Sequence, residues 1–125
     1  MNTPSTKTTT LVLGASSNPD RYSYRAVVQL LDKNIPVVAL GNRTGHIGSQ
    51  PILTDPIPLD SVDTVTLYLN PTRQVPYYPY ILSLHPRRLI FNPGSENTEL
   101  AELARKEGIQ VQEACTLVLL SIGRY

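Results

Sequence analysis

The chain has a single cysteine in 125 residues, Cys115, so no internal disulfide can form and a disulfide framework is excluded. No apolar stretch approaches the ~20 residues that a membrane-spanning helix needs, because arginine, aspartate and proline interrupt every run. A soluble protein is expected. Charge of one sign is also missing: 11 basic residues face 10 acidic ones, for a formal net charge of +1, and no basic run exceeds the pair Arg87-Arg88. Neither nucleic acid nor a membrane surface is therefore an expected partner. The opening stretch, Met1 to Thr10, is rich in threonine and serine and lacks the apolar core of a signal peptide, which points to a cytoplasmic protein. Only 2 histidines occur; His46 lies in a glycine-rich stretch and His85 precedes Pro86, and both read as loop residues without a role. Metal-ligand spacing, a nucleophile elbow and clustered carboxylates are all missing, so the usual patterns of hydrolases and metalloenzymes are not there. At the length of one ordinary domain, no second, catalytic domain is expected.

What is present is an alternation of short aliphatic runs and helical periodicity, the pattern of an α/β protein with a parallel sheet covered on both faces. After a disordered tail over residues 1–8, one domain is expected over residues 9–125. Its first strand is Thr9 to Leu13. The apolar positions 26, 27, 30 and 31 then recur with helical spacing over Ser23 to Lys33, and Asn34 suits the left-handed turn that ends a helix. A second strand runs from Val37 to Leu40. Residues 41–61 contain many glycines and prolines and read as loop, with Ile52-Leu53 a short edge strand. A third strand is expected over Thr64 to Leu69, with threonine and tyrosine on its less apolar face. The stretch Thr72 to Leu84 gives partial helical periodicity, and Pro76 and Pro79 predict a kinked or late-starting helix. Arg88 to Phe91 is the next strand. A helix follows with Glu99 and Glu102 early, Arg105 and Lys106 late and Gly108 just beyond, as the helix dipole and a left-handed cap favour. Ile109 to Gln112 is a last strand, and the apolar segment Cys115 to Ile122 packs back on the sheet.

In such a sheet, ligands sit outside the carboxyl ends of the strands, at segments 14–19, 41–43, 69–71 and 92–97. The first exit, Gly14-Ala15-Ser16-Ser17-Asn18-Pro19, links a strand to a helix in the manner of a phosphate-binding corner. Helix N-terminal amides lack intrahelical partners there, and small residues let a phosphate approach. Asn92-Pro93-Gly94-Ser95 forms a second such exit. The dinucleotide fingerprint wants three glycines in the first loop and an acidic residue at the second exit. This chain has one glycine and, in Gly41-Asn42-Arg43, a cation. Arg43 suits a phosphate on the adenosine ribose, as carried by NADP at the 2′ oxygen or coenzyme A at the 3′ oxygen, and the missing glycines favour coenzyme A.

The segments Gly14 to Pro19, Ser23-Tyr24-Arg25, Leu69-Asn70-Pro71, Asn92 to Asn97 and Ala114 to Ser121, in this order and spacing, resemble the small single-domain CoA-binding proteins. The fold of that family is also the nucleotide-binding domain of the α subunit of succinyl-CoA synthetase. The resemblance implies a Rossmann-like three-layer sandwich, a parallel sheet of about five strands with helices on both faces. It also implies CoA phosphates on the first loop, adenine between the second and third exits, and pantetheine towards Asn92-Pro93-Gly94. The chain departs from the commoner family pattern at Gly41-Asn42-Arg43-Thr44 and in lacking an arginine-rich ending. The phosphorylated histidine of the synthetase lies in a separate domain, so binding without turnover is expected.

The candidate contacts are Gly14, Ala15, Ser16 and Ser17 for phosphate and Arg25 and Arg43 for charge. Asn70, Pro71, Pro93 and Gly94 serve as wall and backbone contacts, Asn18, Tyr24 and Asn92 come from the matching segments, and Asn42 stands beside Arg43 at the second exit. Arg21 reads either as a phosphate contact or as a solvated cation. Cys115 reads as an inert buried thiol, with exchange against the CoA thiol as the sharper alternative. Two further readings stay open: a small NADP-dependent reductase, and a ligand-free scaffold. A homodimer or an unidentified protein partner is compatible with each.

Overall fold

The computed structural model describes residues 8–125; the expected tail over residues 1–8 lies, apart from Thr8, outside the described residues. Seven strands form one sheet: β1 (Thr9–Leu13), β2 (Val37–Leu40), β3 (Gly45–Ile47), β4 (Gln50–Leu53), β5 (Val62–Leu67), β6 (Arg88–Phe91) and β7 (Gln110–Glu113). Their spatial order is β3-β4-β2-β1-β5-β6-β7. All neighbours are parallel except β3 and β4. Helices α1 (Tyr22–Asp32), α2 (Pro71–Gln74), α3 (Tyr78–Ser83), α4 (Thr98–Lys106) and α5 (Thr116–Ser121) connect or follow the strands.

The strand period of two divides the core between two faces. Leu11, Leu13, Val65, Leu67, Leu89 and Phe91 point to the face covered by Ile81 of α3 and Leu100 and Ala104 of α4. Val12, Val37 and Ala39 point to the opposite face, against Val27 and Leu30 of α1 and Leu120 of α5. The α/β Rossmann-like three-layer architecture follows directly. At about 25 cal/mol per Å², each of the buried Val, Leu, Ile and Phe side chains contributes about 1.5–3 kcal/mol before chain entropy is set against it.

Three expectations need correction. The glycine-rich stretch after β2 is not all loop: β3 and β4 form an antiparallel hairpin turning at Gly48, whose φ of +59° suits glycine. Ile52 and Leu53 pair with Ala39 and Leu40 of β2, so the edge belongs to β3, and the sheet has seven strands where about five were expected. Pro51 precedes those paired positions, and its missing N–H costs the β2 ladder nothing. The third expected strand is β5, which starts and ends two residues earlier, leaving Tyr68 and Leu69 in its exit.

The kinked crossover is present as three pieces, α2, a 3-10 turn over Val75–Tyr77 and α3. Each has a proline at its first or second position, where an amide would lack an intrahelical partner in any case. Asn34 has the expected left-handed φ of +60°. The apolar closing segment forms α5, burying Leu119 and Leu120 while leaving Val118 and Ile122 exposed.

Candidate functional site

The exits of β1, β2 and β5 converge so tightly that two glycines are required. A Cβ on Gly41 would stand 2.3 Å from the Ala15 carbonyl oxygen, and one on Gly14 would stand 3.1 Å from the Tyr68 carbonyl carbon. Gly14 also has a φ of +98°, which L side chains avoid. The Leu40 carbonyl ties the first two exits together by accepting from the amides of Gly14 (2.8 Å) and Ala15 (3.0 Å).

The first loop satisfies much of its own backbone. Ser16 Oγ accepts from the Asn18 amide at 3.1 Å, and Asn18 Oδ1 accepts from the Asp20 amide at 3.0 Å. The Arg21 amide donates to the Asn18 carbonyl. With Pro19 lacking an N–H, the amides of Ser16 and Ser17 are the ones in this loop left free of these bonds. The sequence pointed to a backbone cradle with arginine charge beside it; two free amides of the loop and several exposed arginines are what the structure brings together there.

Three adjoining hollows open over these exits. One of about 460 Å³ is walled by Ser16, Ser17 and Asn18 and by three arginines, Arg21, Arg43 and Arg73. A central one of about 290 Å³ runs from Gly14 past Tyr22 and Ser23 to Tyr68 and Pro93. The third, of about 420 Å³, is walled by Leu13, Leu40, Leu69, Pro76 and Tyr77 and is the most apolar. Asn42 and Arg73 border all three. The arginines are exposed, and among the described residues none of the three takes part in an ion pair.

Of the expected contacts, Gly14, Ala15, Ser16, Ser17, Asn18, Asn42, Arg43 and Pro93 line this cleft. Six others have different positions. Arg25 is exposed on α1 and does not itself line the hollows, its guanidinium carbon lying 5.7 Å from the ring centroid of Tyr22, which does, and Tyr24 packs beside the α1 core cluster. Asn70 caps α2, its Oδ1 accepting from the Arg73 amide at 3.0 Å, and Pro71 is the first residue of that helix. Gly94 is exposed, with its amide donating to Glu96 Oε1.

Asn92 is buried, and its side chain is fully engaged. Its Nδ2 donates to Thr66 Oγ1 (2.7 Å) and the Leu67 carbonyl (2.9 Å), while its Oδ1 accepts from the Thr116 amide (2.8 Å). It therefore braces the β5 and β6 exits against α5. Cys115 is half-buried at the start of α5 and is not part of the cleft walls described above.

Sequence reasoning missed Arg73 and the buried Gln74 beside it. Gln74 Nε2 donates to the carbonyls of Leu69 (2.8 Å) and Ser95 (2.7 Å), and its Oε1 accepts from Asn97 Nδ2 (2.9 Å). These bonds fix α2 against the β5 and β6 exits. The available signal was Asn70-Pro71, a helix cap followed by a proline at the first helical position, which would have placed Arg73 within the first turn. At the cleft floor the Tyr68 hydroxyl is buried without a hydrogen-bond partner among the described residues. Burial pushes its phenol up to about 12, so it stays protonated.

A three-layer α/β fold with a cationic cleft at the strand exits defines a nucleotide-binding domain. The family profile described as "CoA binding domain" matches residues 8–121, and the chain belongs to that family. A structure described only as an uncharacterized protein is similar to this chain at 42% identity over 94% of this chain and 98% of its own, with a TM-score of 0.92. Two more distant structures share the fold. One is a Thermus thermophilus protein (20% identity, 95% of this chain and 91% of its own, TM-score 0.82). The other is Prb, described as the PH1109 protein redesigned for binding (15% identity, 95% and 86%, TM-score 0.83). No curated protein matches. Among the described residues no helix is long and apolar enough to cross a membrane, and no group of three His, Cys, Asp or Glu side chains is placed to hold a metal.

Proposed function

We propose that this chain binds coenzyme A or an acyl-CoA in the cleft and releases it chemically unchanged, serving in the cytoplasm as a carrier, sensor or accessory protein. The observation that carries this reading is the wall of three exposed arginines, free of ion pairs with described residues, facing Ser16 and Ser17. A phosphate monoester carries about −1.5 to −2 charges at pH 7, and a diphosphate adds two more. Three guanidiniums offset most of that charge and bind phosphate oxygens bidentately. The apolar hollow beside them suits a flat adenine ring, and the central hollow leads past Tyr22 towards Pro93 as a route for pantetheine.

Calorimetric titration of nucleotide-stripped protein with CoA, acetyl-CoA, NADP and NAD tests the reading. CoA and acetyl-CoA are expected to bind, NAD weakly, and Arg43→Ala to weaken CoA about tenfold. CoA and acetyl-CoA recovered intact by mass spectrometry after long incubation are expected of a non-catalytic binder. NADP binding tighter than CoA would move the reductase reading to first place.

A further inference from the structure

We propose that Arg73 is the specificity-determining cation of the cleft, its guanidinium bridging the diphosphate and the third phosphate of one bound nucleotide. This rests on the coenzyme A reading above. Three observations converge on it.

Arg73 borders the arginine-lined, central and apolar hollows alike, whereas Arg21 borders two of them and Arg43 one. A ligand that fills the cleft must therefore pass Arg73, and the passing segment is the one between the adenosine and the arm that enters the central hollow. In the chosen ligand class that segment is the diphosphate, with the ribose phosphate next to it. A guanidinium presents five N–H donors in a fixed fork, enough to serve two phosphates at once.

The backbone that carries Arg73 is held rigidly while its side chain is free. Asn70 Oδ1 accepts from its amide, and its neighbour Gln74 is fully buried and anchored to Leu69 and Ser95. The Arg73 side chain itself is exposed and makes no ion pair among the described residues. A charge whose anchor point is fixed and which is not yet neutralised has less to reorganise when an anion binds.

The first loop, finally, has most of its amides already committed. Those of Gly14 and Ala15 go to Leu40, and those of Asn18, Asp20 and Arg21 to partners within the loop. The charge of a diphosphate must then be met largely by side chains.

The test is a binding matrix of CoA and dephospho-CoA, which lacks the third phosphate, against the wild type, Arg73→Ala, Arg73→Lys and Arg43→Ala. The expected result is that Arg73→Ala weakens both ligands, on the order of ten- to a hundredfold, and CoA more than dephospho-CoA; an equal loss would place Arg73 on the diphosphate alone and overturn the bridging assignment. Arg73→Lys should restore part of the loss, because it keeps the charge but not the fork. Arg43→Ala should weaken CoA while leaving dephospho-CoA within about twofold. Thermal unfolding of each variant shows that the fold is retained. Arg73→Ala binding both ligands within twofold of the wild type overturns the assignment, and so does a loss confined to CoA, which would place Arg73 on the third phosphate alone. A wild-type chain that binds neither ligand overturns the coenzyme A reading itself, and the assignment with it.

Discussion

The two ends of the sheet use arginine in opposite ways. At the carboxyl ends of the strands, Arg21, Arg43 and Arg73 are exposed around one hollow without ion pairs among the described residues. At the amino ends, Arg87 Nε and Nη2 donate to the two carboxylate oxygens of Asp63 at 2.8 and 3.0 Å. Arg88 there is buried, with Nε donating to Thr64 Oγ1 at 3.2 Å and its guanidinium carbon 4.6 Å from the Tyr125 ring centroid. Tyr125 in turn shares a hydrogen bond with Thr10. A guanidinium in water costs little to leave unpaired, whereas a buried one must find partners. At the cleft the charges are left for a ligand to neutralise, as the proposed function requires; the opposite end is a clasp because its charges are already used.

If that contrast holds, substitutions at the two ends should separate stability from binding. The largest effect is expected at Arg88. Arg88→Ala removes the bonds to Thr64 and Gln112 and the contact with Tyr125, and it leaves a void. Urea titration should show about 3 kcal/mol of lost stability, with CoA affinity little changed. A loss below about 1 kcal/mol would mean that the clasp is ornamental and the contrast false.

Asp63→Asn should cost about 1 kcal/mol at neutral pH, since Arg87 is mostly exposed and its pairing is screened. Burial alone would raise the Asp63 carboxyl, but the bonds from Arg87 and Thr64 and the charges of Arg87 and Arg88 outweigh it, and the net shift is downward from 3.8. A depressed carboxyl contributes stability above its unfolded value and loses it as the pH falls through the folded one. The gap between wild type and Asp63→Asn should accordingly be constant at neutral pH and close on acidification below 3.8. A gap that instead widened in acid would reverse the assigned sign.

The smallest stability effect is expected at the cleft. Arg21→Ala should shift the unfolding free energy by no more than about 0.5 kcal/mol while weakening CoA several-fold, more at low salt than at high. A stability loss comparable to that of Arg88→Ala would show that Arg21 is structural after all.

Much of this was legible in the chain. The order of strands and helices, the Asn34 turn and the broken crossover followed from local periodicity, from glycine and asparagine at helix ends, and from proline positions. A cleft at the carboxyl ends of the strands was expected from topology. Harder to read were Gln74 and Asn92, polar residues whose burial depends on partners 20 or more positions away, such as Ser95 and Thr66. Thr64 and Thr66 read as a less apolar strand face and are fully buried, because Asp63 beside them on β5 and Arg88, Asn92 and Thr116 from other elements satisfy their hydroxyls. The β3–β4 hairpin was hidden because its glycines and prolines argue for loop, and only the pairing of Ile52 and Leu53 with β2 makes it part of the sheet.

The sequence by itself determined the alternating α/β order, the small-residue exit after β1 and the family to which these segments belong, since each depends on neighbours along the chain. Which arginines remain free for a ligand was decided only by the tertiary structure. Whether a guanidinium meets Asp63, a tyrosine ring or open solvent depends on elements brought together across the sheet, and no local pattern encodes that choice.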